Sequence, residues 1–187
     1  MLKTKLYGWL TLGAGLGALA SFLQTLEKIN LLKGAGAPLK CDLNAVFSCT
    51  NVLNSWQSSV FGFPNSLMCL VFFTFLITLG LVGLLGSDVP KKLRMAAQAF
   101  SLFFLGFGLW YMYQSIFVIG AVCLYCIFCM SGLLVANWAL LRLNAPDLPL
   151  SNKSRKRVQG WIAGNKDTAF WALIGFALLV AIVFKAL

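Results

Sequence analysis

The chain has 187 residues, 60% of them apolar and only 11% charged, with a formal net charge of +10. A soluble domain carries about 25% charged residues, so an ordinary water-soluble globule, a disordered chain and a fibrous repeat are all excluded. Histidine is absent, which removes histidine-based metal sites, haem ligands and catalytic triads together. The positive charge is expected in loops on one side of a membrane, and no nucleic-acid partner is expected.

About 20 consecutive apolar residues cross a bilayer as a helix. Five segments qualify: 6–26, 66–85, 95–118, 121–143 and 168–187. The third and fourth are joined only around Ile119 and Gly120, which predicts a tight hairpin. Eleven of the fifteen basic residues, among them Lys3, Lys5, Lys91, Lys92, Arg94, Arg142 and Lys166, fall on one side of these spans. The positive-inside rule then puts the N-terminus in the cytoplasm and segment 27–65 outside. Lys3 and Lys5, an apolar stretch and Ala18-Leu19-Ala20 imitate a signal peptide, but the apolar run continues through Phe22 and Leu23. Residues 144–149 are a turn-rich break. The basic run 151–157 is expected to be a solvated cytoplasmic loop touching anionic headgroups.

The expected fold is an all-α integral membrane protein. Residues 1–143 would form a four-helix bundle with its outward loop 27–65. A basic cytoplasmic loop, 144–167, would lead to a fifth, peripheral span, 168–187. The outward loop has 39 residues, and structureless loops beyond about 15 residues are uncommon and usually functional. It is also apolar, with Val46, Phe47, Val52, Leu53, Trp56, Val60, Phe61 and Phe63, so it should cap the bundle or lie in the headgroup region. Residues 44–55 suit a short helix, and Gly62 and Pro64 mark the return into the second span.

Six cysteines carry the chemistry: Cys41, Cys49, Cys69, Cys123, Cys126 and Cys129. Cys41 and Cys49 lie in the outward loop. Eight helical positions rise about 12 Å, whereas a disulfide needs Cα atoms within about 7 Å. If these two pair, the chain between them is not one straight helix. Cys123 and Cys126 form a Cys-x-x-Cys at the outward start of the fourth span, where i,i+3 spacing gives about 4.5 Å of rise. A thiol at a helix N-terminus is biased toward thiolate, the species that attacks a disulfide. Lys40 beside Cys41 acts in the same direction and Asp42 opposes it. Cys69 and Cys129 are read as core packing.

Two dithiols on an oxidising face, one in a loop and one in the membrane, form the layout of an electron relay. Other cysteine chemistries fit less well. The fourth cysteine of a ferredoxin-type run is missing, the residue after each Cys-x-x-Cys is not histidine, and a four-cysteine zinc site would need the lipid-embedded Cys126. No metal is expected. No flavin or nicotinamide motif is visible, so the membrane dithiol calls for a lipid-soluble acceptor, a quinone of the ubiquinone, menaquinone or phylloquinone type. Trp110, Tyr111, Tyr113, Phe61 and Phe63 can supply an aromatic pocket or an interfacial belt. Asn65, an amide at the top of the second span, either contacts the quinone or caps the helix.

The pattern Cys41-Asp42, Ser48-Cys49, Ser55, Phe61-Gly62, Asn65-Ser66 and Cys123-Leu-Tyr-Cys126 resembles the vitamin K epoxide reductase family over residues 6–143. By this resemblance Cys41 and Cys49 are the loop shuttle pair, Cys49 passes electrons to Cys123 through a transient disulfide, and Cys126 meets the quinone. Asn65 matches the family's quinone-contacting asparagine and Ser55 a loop serine near the active site. Two features depart from the pattern: Met130 replaces a tyrosine of the vertebrate members, and Cys129 adds a second Cys-x-x-Cys. Many bacterial members carry a thioredoxin-like domain after a fifth span. This sequence ends at Leu187, so a separate thioredoxin-like or DsbA-like partner is expected. The expected enzyme is a membrane thiol–quinone oxidoreductase supporting disulfide formation, in a bacterial cytoplasmic membrane or, in a eukaryote, the ER. Its alternatives are a vitamin K epoxide or quinone reductase, a DsbB-like protein and a disulfide-stapled membrane scaffold.

Overall fold

The computed structural model describes residues 2–34, 39 and 41–186. Among them the regular structure is entirely helical. Helix α1 spans Leu2–Leu32, α2 Cys49–Asn54, α3 Asn65–Leu84, α4 Lys91–Tyr113, α5 Leu124–Asn144, α6 Asn152–Ala163 and α7 Lys166–Ala186. Short 3₁₀ turns occupy Trp56–Ser59 and Ala145–Asp147, and α4 continues as a π-helical turn over Gln114–Ile119. Helices α1, α3, α4, α5 and α7 are each long and apolar enough to cross a membrane. The protein is an all-α, multi-pass membrane protein.

Helix α1 is the spine, packed along its length against both α3 and α5. Small residues permit this closeness. A methyl group on Gly132 of α5 would collide with the Gly13 carbonyl and approach the Gly17 nitrogen to 2.9 Å. On the other side of α1, Thr11 and Tyr7 fill the space beside Gly80 and Gly83 of α3. Helix α4 leans on α5, and α7 touches the bundle mainly through α5, as a peripheral span should. Its Leu173, Phe176, Leu179, Val183 and Phe184 are exposed, the surface a bilayer would cover.

The end of the bundle opposite the long loop is tied by two ion pairs. Arg142 meets Asp167 through two hydrogen bonds of 2.6 and 2.8 Å, with Asp167 fully buried. Arg94 meets Asp147 at 2.5 Å and also shares two hydrogen bonds with Asn144. These contacts join α4, α5 and α7 where the chain leaves the apolar layer.

Three sequence expectations need correction. The first span does not stop at Leu26. It continues to Leu32, because Ile29, Leu31 and Leu32 extend the apolar run and Lys28 folds back onto the loop. The free loop is therefore shorter than 27–65. Its helix begins at Cys49, not at Asn44: Asn44 instead makes a side-chain turn, its Oδ1 accepting from Val46 and Phe47 N–H at 3.0 and 2.8 Å. The basic run at 151–157 is helical. Ser151 Oγ caps it by accepting from Ser154 N–H at 3.3 Å, and Lys and Arg are good helix formers. Val158, Trp161 and Ile162 of α6 are half-buried, while Lys153, Lys156 and Arg157 are exposed. Lys40 lies outside the described residues.

Candidate active site

The loop is folded by its own polar side chains. The Asn44 turn lets Leu43 N–H reach Phe47 C=O at 2.9 Å, reversing the chain after Cys41. Ser48 caps α2, accepting from Asn51 N–H at 3.3 Å. The carboxylate of Asp42 accepts from Thr50 N–H at 3.0 Å, from the Thr50 hydroxyl, and from Leu39 N–H at 3.2 Å. Partial burial raises the Asp42 pKa, the hydrogen bonds from Thr50, Ser48 and Leu39 lower it, and the net position is below the ordinary carboxylate value. This reversal brings Cys41 and Cys49 within 5.7 Å, Cα to Cα, and they are joined in a disulfide. The chain between them is indeed not a straight helix.

Three contacts dock the loop on the bundle. Val122 N–H donates to Val46 C=O at 2.7 Å. Lys28 Nζ donates to Leu53 C=O and to Ser58 Oγ, the latter at 3.2 Å. Asn65 Nδ2 donates to Gln57 C=O at 2.6 Å, and its Oδ1 accepts from Val60 N–H at 3.2 Å. Pro64, not Asn65, occupies the cap position of α3. Asn65 thus ties the loop to the helix top and keeps one amide hydrogen uncommitted. Ser55 serves within the loop: its hydroxyl donates to Val52 C=O at 2.7 Å and its carbonyl accepts from Ser58.

Cys123 is presented from the opposite side. The π-helical turn and the hairpin at Gly120, whose φ of 78° suits glycine, aim the chain back into the bundle. Ser115 Oγ closes the hairpin by donating to Ala121 C=O at 2.6 Å. Cys123 then takes the cap position of α5 in extended conformation, with Cys126 in the first turn. Its Sγ lies 3.1 Å from Cys49 Sγ, and both residues are completely buried. The sulfurs of Cys41, Cys49 and Cys123 all lie within 4.8 Å of one another, although two of them are already bonded. Cys123 and Cys126 are thiols here.

Beneath Cys123, Cys126 lines a narrow, mostly apolar cavity of about 60 Å³ between α1, α3, α4 and α5. Gln24 Nε2 of α1 donates to Cys126 Sγ at 3.4 Å. Phe72, Phe104, Phe107 and Tyr111 form aromatic walls, and Asn65 and Ser66 lie at the rim. Phe72 and Phe104 stack with centroids 4.3 Å apart. These two rings also line a wide apolar groove that opens between α3 and α4 on the lipid-facing side and contains Phe63, Leu67 and Phe100.

The structure sorts the sequence candidates. Asn65, Tyr111 and Cys126 share the cavity; Phe61 and Tyr113 do not line it. Tyr113 is 58% exposed and packs on Phe117. Phe61 sits outside, against Phe107. Trp110 packs between Phe107 and Trp56. Cys69 and Cys129, read as packing residues, line the cavity too. Cys129 Sγ lies 3.3 Å from Ser21 Oγ. The polar stripe Ser21, Gln24, Thr25 and Lys28 on α1 was not singled out in the sequence. Its i,i+3,i+4,i+7 spacing inside an apolar span was the signal for it.

No curated protein matches the chain significantly. Residues 8–141 match the family described as the vitamin K epoxide reductase family. That match spans the four bundle helices, the loop and all six cysteines. The chain therefore belongs to the vitamin K epoxide reductase family, whose members couple thiols to quinones in membranes.

Proposed function

We propose that the protein oxidises a separate thioredoxin-like protein and delivers its electrons through Cys41/Cys49 and Cys123/Cys126 to a quinone in the cavity. The single observation that carries this reading is the 3.1 Å approach of Cys49 Sγ to Cys123 Sγ, with Cys126 three residues on at the cavity wall.

The steps balance as thiol–disulfide exchange. The partner's dithiol reduces the Cys41–Cys49 disulfide and leaves as a disulfide. The Cys49 thiolate attacks Cys123 of a Cys123–Cys126 disulfide, forming the Cys49–Cys123 bond and releasing the Cys126 thiolate. Cys41 then attacks Cys49, restores the loop disulfide and frees Cys123. The bonding pattern seen here, a loop disulfide with a membrane dithiol, corresponds to this point. A bound quinone supplies a two-electron, two-proton acceptor, and reoxidation of Cys123 and Cys126 closes the cycle.

The chemistry of the lining suits such a ligand: aromatic walls, a thiol at one wall, few polar groups, and an adjoining apolar groove that shares Phe72 and Phe104 and would suit an apolar tail. Asn65 holds the loop over the cavity and offers its second amide hydrogen to the ligand. The basic residues at the opposite end put the loop end on the outer, disulfide-permissive face, as in a bacterial cytoplasmic membrane. Residues 1–143 act as the catalytic unit, with α6 and α7 as accessories.

Turnover tests the reading. Purified protein is mixed with a short-chain quinone and a reduced thioredoxin-like protein, and quinone absorbance is followed for wild type and for Cys41→Ala, Cys49→Ala, Cys123→Ala and Cys126→Ala. Wild type should turn over and all four variants should fail. A folded wild type that is inert with every quinone would favour a stapled scaffold.

A further inference from the structure

We infer that the Tyr111 hydroxyl is a hydrogen-bond donor to a carbonyl oxygen of the quinone, an assignment that rests on the quinone reading above. Tyr111 is 8% exposed and lines the cavity, and its hydroxyl has no hydrogen-bond partner among the described residues. A buried hydroxyl without a partner is costly and calls for a ligand or a water.

Each of the cavity's other hydroxyl and amide side chains already holds at least one hydrogen bond within the protein. Gln24 donates to Cys126, Asn65 uses both ends of its amide on the loop, and Ser66 Oγ accepts from Thr25 Oγ1 at 2.8 Å. Among the hydroxyl and amide side chains of that lining, only the phenol is wholly unspoken for. Its ring is held in place: Phe107, one turn earlier on α4, lies nearly parallel at 10° with centroids 6.5 Å apart. A quinone carbonyl is an acceptor with no hydrogen of its own, so a fixed phenol donor is its complement.

Tyr111→Phe separates a ligand role from a packing role. The ring stays and only the unpaired hydroxyl goes. The ligand-free variant should melt at or above the wild-type temperature, since an unsatisfied group has been removed. The KM for a short-chain quinone should rise about tenfold, the expectation for losing one buried hydrogen bond. The rate at which a reduced thioredoxin-like protein opens the Cys41–Cys49 disulfide should not change. Tyr113→Phe, two residues on with its hydroxyl outside the cavity, should behave as wild type throughout. Wild-type kcat/KM for quinone in Tyr111→Phe would overturn the inference and leave the hydroxyl to water. A lower melting temperature with every step slowed equally would also overturn it, in favour of packing. A wild-type protein that neither reduces quinone nor shows quinone quenching of its tryptophan fluorescence would sink the quinone reading itself.

Discussion

Gln24 is the one described side chain that donates to Cys126, at 3.4 Å through Nε2. If Cys126 must carry negative charge when it faces the quinone, that N–H is a charge-assisted donor in a site with almost no water. Hydrogen bonds to charged groups are worth about 1.5–3 kcal/mol. Replacing Gln24 with Met keeps a flexible chain of similar length and removes the donor. A loss of about 2 kcal/mol at the step that uses the Cys126 thiolate slows it roughly thirtyfold. The assay is single-turnover: fully reduced protein is mixed rapidly with a short-chain quinone and the absorbance change is followed. Reduction of the Cys41–Cys49 disulfide by the partner should be spared, because Gln24 touches neither sulfur, whereas the exchange that releases the Cys126 thiolate should slow as well. The melting temperature should stay near wild type. A Gln24→Met protein that reduces quinone at the wild-type rate, or that slows the partner's reduction of the Cys41–Cys49 disulfide by the same factor, would refute the reasoning.

Two further predictions concern the frame that holds the site. Asp42→Asn should loosen the turn that carries Cys41. The sign follows from the lowered Asp42 pKa: its contribution is present above the unfolded carboxylate pKa of about 3.9 and is lost as pH falls through the lower folded value. Wild-type loop protection, measured by hydrogen exchange at Thr50, should therefore fall below about pH 4, and in Asp42→Asn it should be low at every pH. Gly132→Ala should destabilise the bundle by about 1–3 kcal/mol, because its methyl has no room against Gly13 and Gly17 of α1, whereas Gly106→Ala, with nothing within 4 Å of the added carbon, should not. Thermal melts in detergent compare the two directly.

Much of the fold was legible because the bilayer constrains it so strongly. All five spans could be located from apolar length, though α1 ran six residues past its expected end. That error had a local cause: Glu27 and Lys28 look like the start of a loop, yet Glu27 is buried and Lys28 turns back to bond the loop. Helix α6 was misread because the basic run 151–157 was read alone; Val158, Trp161 and Ile162 beyond it have the i,i+3,i+4 spacing of an amphipathic helix. Spacing and family pattern together picked out the four cysteines proposed for the relay, and the structure brings Cys41, Cys49 and Cys123 together. The cavity was harder. Tyr111 and Tyr113 sit two residues apart on one helix, about 200° around the axis, so only one can face inward, and composition alone does not say which. The phase is readable in retrospect: Phe104, Phe107 and Tyr111 share the face that meets Cys126, Cys129 and Met130 of α5. Phe61 lies in a loop, where no period exists to fix its direction.

The proposed relay requires the loop and the membrane dithiol to exchange through Cys49 and Cys123. The most direct measurement uses Cys41→Ala combined with Cys126→Ala, which removes both resolving thiols. After mild oxidation the protein is digested and its disulfide-linked peptides are identified by mass spectrometry. With sulfurs already 3.1 Å apart, Cys49 and Cys123 should be joined nearly quantitatively, and the protein should stay folded. Free Cys49 and Cys123 in a folded protein, or Cys49 joined instead to Cys69 or Cys129, would contradict the relay.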